Sequence, residues 1–226
     1  CGGGGGDGCG DGGVEGASVG GAEWGVTYGT MKAWEALHGL SPEGCFPVAK
    51  ERNGTVRGEG AGILVMESLE HAQERGANIL AEVVGYGMSS DAKDMVNPDI
   101  EGPMVAMKDA LADAGLSPAD IDYLNAHGTA TSINDANETR AIKAVFGNHA
   151  KNLAISSTKS MHGHLIGGPG PVALPACLLA LRAALTAPPV RPTRPHRAPP
   201  RPSVPVVLPF CFALAPRPPR VPHLDA

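Results

Sequence analysis

"SPADIDYLNAHGTATSINDANETRAIKAVFGNHAKNLAISSTKSMHGHLIGG", residues 117–168, decides the fold. Ser117 stands as a helix cap with Pro118 at the first helical position. A short apolar strand follows over Tyr123–Ala126, then a helix through "NDANETRAIKAVFG" (134–147), then a second strand in "LAISST" (153–158). In parallel sheets ligands gather beyond the carboxyl ends of the strands. His127 directly follows the first strand and Lys159 the second. If both strands lie in one parallel sheet, His127, Lys159 and His164 converge on one rim. The hydroxyls of Thr129, Thr131 and Ser160 lie close by in sequence.

The chain upstream of this stretch has the same alternating character. "TMKAWEALHGL" (30–40) places Met31, Trp34, Leu37 and Leu40 at helical spacing, and Gly39 stands where a helix stops. "GAGILVMES" (60–68) suits a buried strand and passes into "LEHAQERGAN", a charged helix ended by Gly76. "ILAEVVGYGMSS" (79–90) is the next strand, and "PMVAMKDALADAG" (103–115) a helix with Gly115 past its end. Alternating strands and helices imply an α/β protein with a mostly parallel sheet covered by helices.

The chemistry expected on the rim follows from its residue types. Imidazole can donate a hydrogen bond to a developing oxyanion or exchange a proton near neutrality. Two imidazoles and a cation suit enolate or tetrahedral oxyanion chemistry. A single histidine after a strand is more often a polar loop residue than a catalyst. Two of them with a lysine on one rim give the catalytic reading equal weight. The H-x-H of residues 162–164 has no carboxylate or thiol at fixed spacing nearby, so no metal is assigned. Asp135 and Glu138, spaced D-x-x-E ahead of "TRAIKAVF", read first as a helix cap with its N3 partner. "GEGAG" (58–62) precedes its strand, where a dinucleotide fingerprint must follow one, and carries little weight.

Composition bounds the rest. The 226 residues have a formal net charge of −5, which gives no reason to expect nucleic acid or an anionic membrane as partner. No apolar run approaches a membrane span. Five cysteines without a C-x-x-C pair suit a reducing cytoplasm. Residues 1–21 hold 12 of the 31 glycines, and residues 187–226 hold 13 of the 21 prolines together with six arginines and one acid. Neither end offers a periodic apolar face, so each is expected to be disordered. A shifted reading frame in GC-rich DNA would produce the same texture. The expected organisation is a leader over 1–21, a folded body over 22–186 and a tail over 187–226.

"YLNAHGTATSINDANETRAIKAVFG" and "LAISSTKSMHGHLIGG", with "GGAE" and "RGEGAGILVMESLEHAQERGANILAEVVGYG" upstream, resemble the β-ketoacyl-[acyl carrier protein] synthases. The likeness is to the KAS II-like branch that includes nodulation-type ketosynthases, over roughly residues 20–168. It implies the later part of a thiolase-like αβαβα layered fold, in an enzyme that is usually a homodimer. It also implies a decarboxylating Claisen condensation of an acyl thioester with malonyl-acyl carrier protein, in fatty acid or related acyl-chain synthesis. No cofactor is implied beyond the phosphopantetheine that carries the substrates. By resemblance His127 and His164 are the two catalytic histidines, and Lys159 shapes the electrostatics beside them. Thr129 and Thr131 contact the phosphopantetheine arm, and Asp135 and Glu138 support the lysine's network. His162 stands where the family often has threonine and receives no role.

Departures from the pattern are equally specific. No A-C-S-S-like motif supplies the nucleophile, and Cys1 and Cys9 lie in the Gly-rich leader. The family's Gly-Val-Glu after the glycine run reads Pro171-Val172-Ala173. Pro169, Pro171 and Pro175 fall where the family runs a helix, so an undistorted helix is not expected there. The closing "NSFGFGG"-like loop is missing, and "LPFCFALA" (208–215) is at best a faint echo of it. The expectation is a ketosynthase fragment that does not condense alone. The alternatives are a nucleophile-less partner of the chain-length-factor type and a non-catalytic module that binds a carrier protein.

Overall fold

The computed structural model describes residues 15–94, 97–183, 206–207 and 212–215. In chain order these form β1 (Gly16–Glu23), α1 (Tyr28–Ala36), β2 (Gly60–Glu67), α2 (Leu69–Glu74), β3 (Glu82–Tyr86), α3 (Glu101–Asp113), β4 (Tyr123–Asn125) and α4 (Ser132–Phe146). They continue with β5 (Ala154–Ser156), α5 (Lys159–His162), α6 (Pro169–Ala183), β6 (Val206–Val207) and β7 (Phe212–Ala215). β1 and β2 make a two-stranded antiparallel ribbon. The other strands form a second sheet in the order β3-β7-β6-β4-β5. The pair that matters for function, β4 and β5, is parallel, with Tyr123 opposite Ala154 and Asn125 opposite Ser156.

β4 is covered on both faces, which is why all three of its residues are buried. On one side Leu124 joins Met107, Ala110 and Leu111 of α3 and Ala141, Ile142 and Phe146 of α4 in the larger core cluster. On the other side Tyr123 packs with Cys177 and Leu214, against Leu174, Leu178 and Leu181 of α6. The same helix also lies on the ribbon. A Cβ on Gly62 would meet the Pro171 carbonyl at 2.3 Å, and one on Gly21 would meet that of Gly167 at 2.9 Å. Helix α6 is therefore a layer between two sheets, as a layered αβαβα arrangement requires.

Five expectations change. The larger sheet is not mostly parallel, because β7 runs antiparallel to both β3 and β6. The strand β2 is not buried, and Ile63 and Val65 are exposed. Residues 16–21, assigned above to the Gly-rich leader, form most of β1. Their glycines serve close approach: a Cβ on Gly20 would sit 2.5 Å from the Gly62 carbonyl oxygen of the paired strand. The rest of the leader, residues 1–14, lies outside the described residues. In the tail, residues 206–207 and 212–215 are strands, with β7 antiparallel to β3 and β6 parallel to β4. The apolar run around them was hidden by averaging over a Pro/Arg-rich segment. Residues 184–205, 208–211 and 216–226 lie outside the described residues, so the disorder expected there falls on them. Finally, Pro169–Ala183 is a helix with Pro175 inside it. Pro169 and Pro171 occupy its first turn, where a missing N–H leaves no helical bond unmade, and only Pro175 removes one.

Leu214 is 1% exposed and closes the Tyr123–Cys177 cluster. Leu214→Ala is expected to destabilise the fold by about 2–5 kcal/mol, read as a lowered urea midpoint. A change within about 0.5 kcal/mol, the size of an ordinary surface substitution, would contradict the placement of β7 in the sheet.

Candidate active site

The parallel pairing of β4 and β5 delivers two loops to one rim. After β4, the Ala126 amide still bonds the Ser156 carbonyl at 2.6 Å, and the chain then turns through His127 and Gly128. Gly128 has φ +43°, and a Cβ there would lie 2.6 Å from Cβ of Ser157, so the two loops touch where only glycine fits. Ser157 fastens them further by donating its hydroxyl to the Gly128 carbonyl at 3.1 Å. Ala130 holds φ +65°, a conformation that disfavours L-residues by about 1–2 kcal/mol. This bend brings the Thr129 and Thr131 hydroxyls within 2.9 Å of each other.

The rim collects the residues that the sequence placed on it. The His127 and His164 rings meet edge to face, with centroids 5.2 Å apart. His164 is held by main-chain bonds to a third segment: its N–H donates to the Val56 carbonyl at 2.7 Å, and its carbonyl accepts from Gly58 N–H at 3.1 Å. Its Nδ1 accepts the Ile166 N–H at 3.1 Å. That nitrogen therefore carries no proton, and the neutral ring must bear its hydrogen on Nε2. Burial, reinforced by Lys159, then Arg57 and His162, lowers the His164 pKa to about 4. Burial, with Lys159 and His164, holds that of His127 well below the usual imidazole range. Both rings are neutral donors near pH 7.

Lys159 opens α5 and is 2% exposed. Burial lowers its pKa to about 8, against the pull of Glu138, Cys45 and Asp135. Glu138 reaches back from α4, and its two carboxylate oxygens accept the His127 and Gly128 amides at 2.6 and 2.8 Å. Burial raises its pKa in spite of those bonds. Asp135 is 1% exposed and accepts the Val48 amide at 2.7 Å. The capping reading of these two acids is corrected here, because Thr131 is the N-cap of α4. Asp135 and Glu138 lie inside the helix, facing inward to fix loops. No side-chain cap bond forms at Thr131.

Two neighbours were given no role by the sequence. Cys45 is buried, in electrostatic contact with Lys159 and Asp135, and burial raises its pKa. Arg57, one residue before Gly58, bonds Glu23 at 3.3 Å and lies 5.2 Å from the Trp34 ring centroid. Its Nε and Nη1 are buried without a hydrogen-bond partner among the described residues. Among the described residues no group of three or more His, Cys, Asp or Glu side chains could hold a metal ion. No described helix is long and apolar enough to cross a membrane.

Comparison with known proteins gives this geometry a family. The beta-ketoacyl synthase N-terminal domain matches residues 10–72, and the beta-ketoacyl synthase C-terminal domain matches residues 80–192. Nodulation protein E of Rhizobium leguminosarum bv. trifolii is 52% identical over 174 residues, covering 77% of this chain and 42% of that protein. The 3-oxoacyl-[acyl-carrier-protein] synthase 2 of Staphylococcus aureus (strain COL) is 46% identical over 177 residues, covering 75% of this chain and 43% of that protein. Among solved structures, a type II polyketide ketosynthase in complex with its acyl-carrier protein, AntDE:AntF, superimposes with a TM-score of 0.79. It is 30% identical and covers 89% of this chain and 55% of that one. The chain spans about two fifths of the length of the curated relatives that it matches. With thiolase-like ketosynthases as its structural neighbours and both domains matched, the chain belongs to the beta-ketoacyl synthase family.

Proposed function

We propose that this chain carries the decarboxylating half of a 3-oxoacyl-[acyl carrier protein] synthase site. The observation that carries the reading is the pair of neutral imidazoles 5.2 Å apart beside a buried lysine, with the His164 hydrogen placed on Nε2 by the Ile166 amide. In the proposed step the bond between the malonyl carboxylate and Cα breaks and carbon dioxide leaves. The electron pair moves onto the thioester carbonyl to give an enolate. His127 and His164 are the N–H donors to that oxygen, already in place before charge develops. The enolate carbon then attacks an acyl thioester on a cysteine and expels the thiolate. Lys159 supplies the positive field. Thr129 and Thr131, with hydroxyls 2.9 Å apart, receive the phosphopantetheine arm. Asp135 and Glu138 fix the loops around the lysine.

The reading brings partners with it. The substrates ride on acyl carrier protein, and the AntDE:AntF complex, in which a related ketosynthase holds its carrier protein, supports that choice. The intact enzyme works as a cytoplasmic homodimer without metal or other cofactor. No cysteine of this chain stands in an A-C-S-S-like motif, so the acyl-cysteine of the proposed reaction comes from outside these 226 residues. A chain-length-factor type partner is the second reading. Retention of His127, Lys159 and His164 together favours the decarboxylating one.

Two outcomes are expected when this chain is joined to the nucleophile-bearing part of a relative. His127→Ala or His164→Ala should cut malonyl decarboxylation by roughly a hundred- to thousand-fold, the loss typical of one oxyanion donor. Acyl transfer to the cysteine should stay near the parent level. Measuring carbon dioxide release and labelled acyl-enzyme separately decides it, and loss of acyl transfer with decarboxylation intact would reverse the assignment.

The second outcome is the pH profile of decarboxylation. Below about 4 His164 takes a proton, its Nδ1 can no longer accept from Ile166, and the rate should fall. Above about 8 Lys159 loses its charge and the rate should fall again. A limb centred on the ordinary histidine value near 6.5 would contradict the neutral-donor arrangement.

A further inference from the structure

His162 was left without a role, yet it is the most fully engaged side chain on α5. Its Nδ1 lies 2.8 Å from the Gly163 carbonyl, and its Nε2 lies 3.1 Å from Oγ1 of Thr158. Thr158 is tied to β4 twice over. Its amide donates to Oδ1 of Asn125 at 3.2 Å, and its hydroxyl oxygen accepts Nδ2 of Asn125 at 3.3 Å. All three side chains are part of one wire, and with a neutral ring only one arrangement of protons satisfies it. A carbonyl can only accept, so Nδ1 of His162 must carry a hydrogen. The Asn125 amide already donates to the Thr158 oxygen, so the hydroxyl hydrogen is free to donate onward. Nε2 of His162 then accepts it. Burial outweighs the bond to the Gly163 carbonyl, which favours a charged ring, and with Lys159 lowers the His162 pKa, favouring the neutral form.

The ends of this wire matter more than its middle. Asn125 is the last residue of β4, two residues before His127. Gly163, at φ +72°, is the residue immediately before His164. Thr158 directly precedes Lys159. The ring of His162 closes α5 from its N-cap to its C-cap, and through Asn125 fastens that turn to the strand that presents the other histidine.

We propose that His162 is a positioning residue for the enolate site, whose Nδ1–H tautomer links Asn125, Thr158 and Gly163 and so sets the spacing of His127 from His164. The proposal rests on the decarboxylating reading above for its kinetic consequence but not for its structural one. His162 itself touches no reacting atom. It acts through the two imidazoles that do.

The test begins on this chain, by heteronuclear NMR of the labelled histidine rings. Wild-type His162 is expected to show a protonated Nδ1 and a bare Nε2, the reverse of His164. His162→Ala should move the ring signals of both His127 and His164. His162→Gln, whose side-chain oxygen can still accept the Thr158 hydroxyl, should bring them back most of the way. In the joined enzyme the Ala variant should lower kcat for decarboxylation by about ten- to hundredfold, the scale of a small misplacement, with KM nearly unchanged. The Gln variant should recover most of that loss. A wild-type ring protonated on Nε2, or His127 and His164 signals unmoved in the Ala variant, would overturn the proposal. Those signals are read without any turnover. A joined enzyme that decarboxylates nothing, while the signals behave as expected, would therefore count against the decarboxylating reading and leave the wire standing.

Discussion

The arrangement depends on one unfavourable burial. Lys159 is 2% exposed, and the cost of removing its ammonium from water exceeds the attraction of the acids Glu138 and Asp135, so its pKa drops to about 8. No carboxylate oxygen lies within 4.0 Å of its ammonium among the described residues, so the attraction offsets the desolvation penalty only in part. Glu138 gives both its oxygens to the His127 and Gly128 amides, and its charge acts on the lysine through space. The result is a positive field that its neighbours only partly neutralise. That field helps to keep the imidazoles of His127 and His164 uncharged. A neutral N–H donor beside a cation is a good receiver of charge that appears only during reaction.

The layers serve to hold that cluster still. β4 and β5 pair in parallel, so His127 and Lys159 leave the sheet at the same end. The α3 and α4 core presses on one face of β4, and α6 on the other. Glycine makes the closest meetings possible: Gly128 against Ser157, and Gly62 against α6. A methyl group at Gly128 would push apart the two loops that carry the site, and one at Gly62 would push the ribbon off α6. Helix α6 can tolerate its prolines because two of them fall in the first turn, where amides have no helical partner anyway.

Much of this was legible in the sequence, and the reason is local. Strand, loop and helix between residues 117 and 168 are continuous in the chain, so period and turn chemistry specify them directly. The parallel rim needed only the handedness and layer rules of α/β folds. What escaped depended on distant neighbours. Asp135 and Glu138 carry a capping pattern, yet Thr131 caps the helix and the acids bind the amides of Val48, His127 and Gly128. Residues 16–21 looked too glycine-rich to order, but a strand that lies under α6 needs little side chain. Phe212–Ala215 were diluted by the prolines around them. Cys45 had no motif and Arg57, though it opens the quoted "RGEGAG" stretch, had no role, and only the packing of a third segment against His164 brings them to the rim.

The division of labour within the site follows from where charge appears. Attack of a thiolate on an acyl thioester builds charge next to the nucleophile, and donors for it must stand beside that cysteine. Decarboxylation builds charge on the malonyl thioester oxygen, and its donors must stand together, neutral and dry, at some distance from the thiolate they would otherwise protonate. The β4–β5 rim meets the second requirement with residues drawn from 127 to 164 and from the 56–58 segment that holds His164. The buried cysteines among the described residues do not meet the first: burial raises the pKa of Cys45, and that of Cys177 to about 12. A thiol held that far from its thiolate is a weak nucleophile. On the proposed reading the two halves of the chemistry are separable in the chain, and the half assigned to these residues is the one that must be rigid before any substrate arrives.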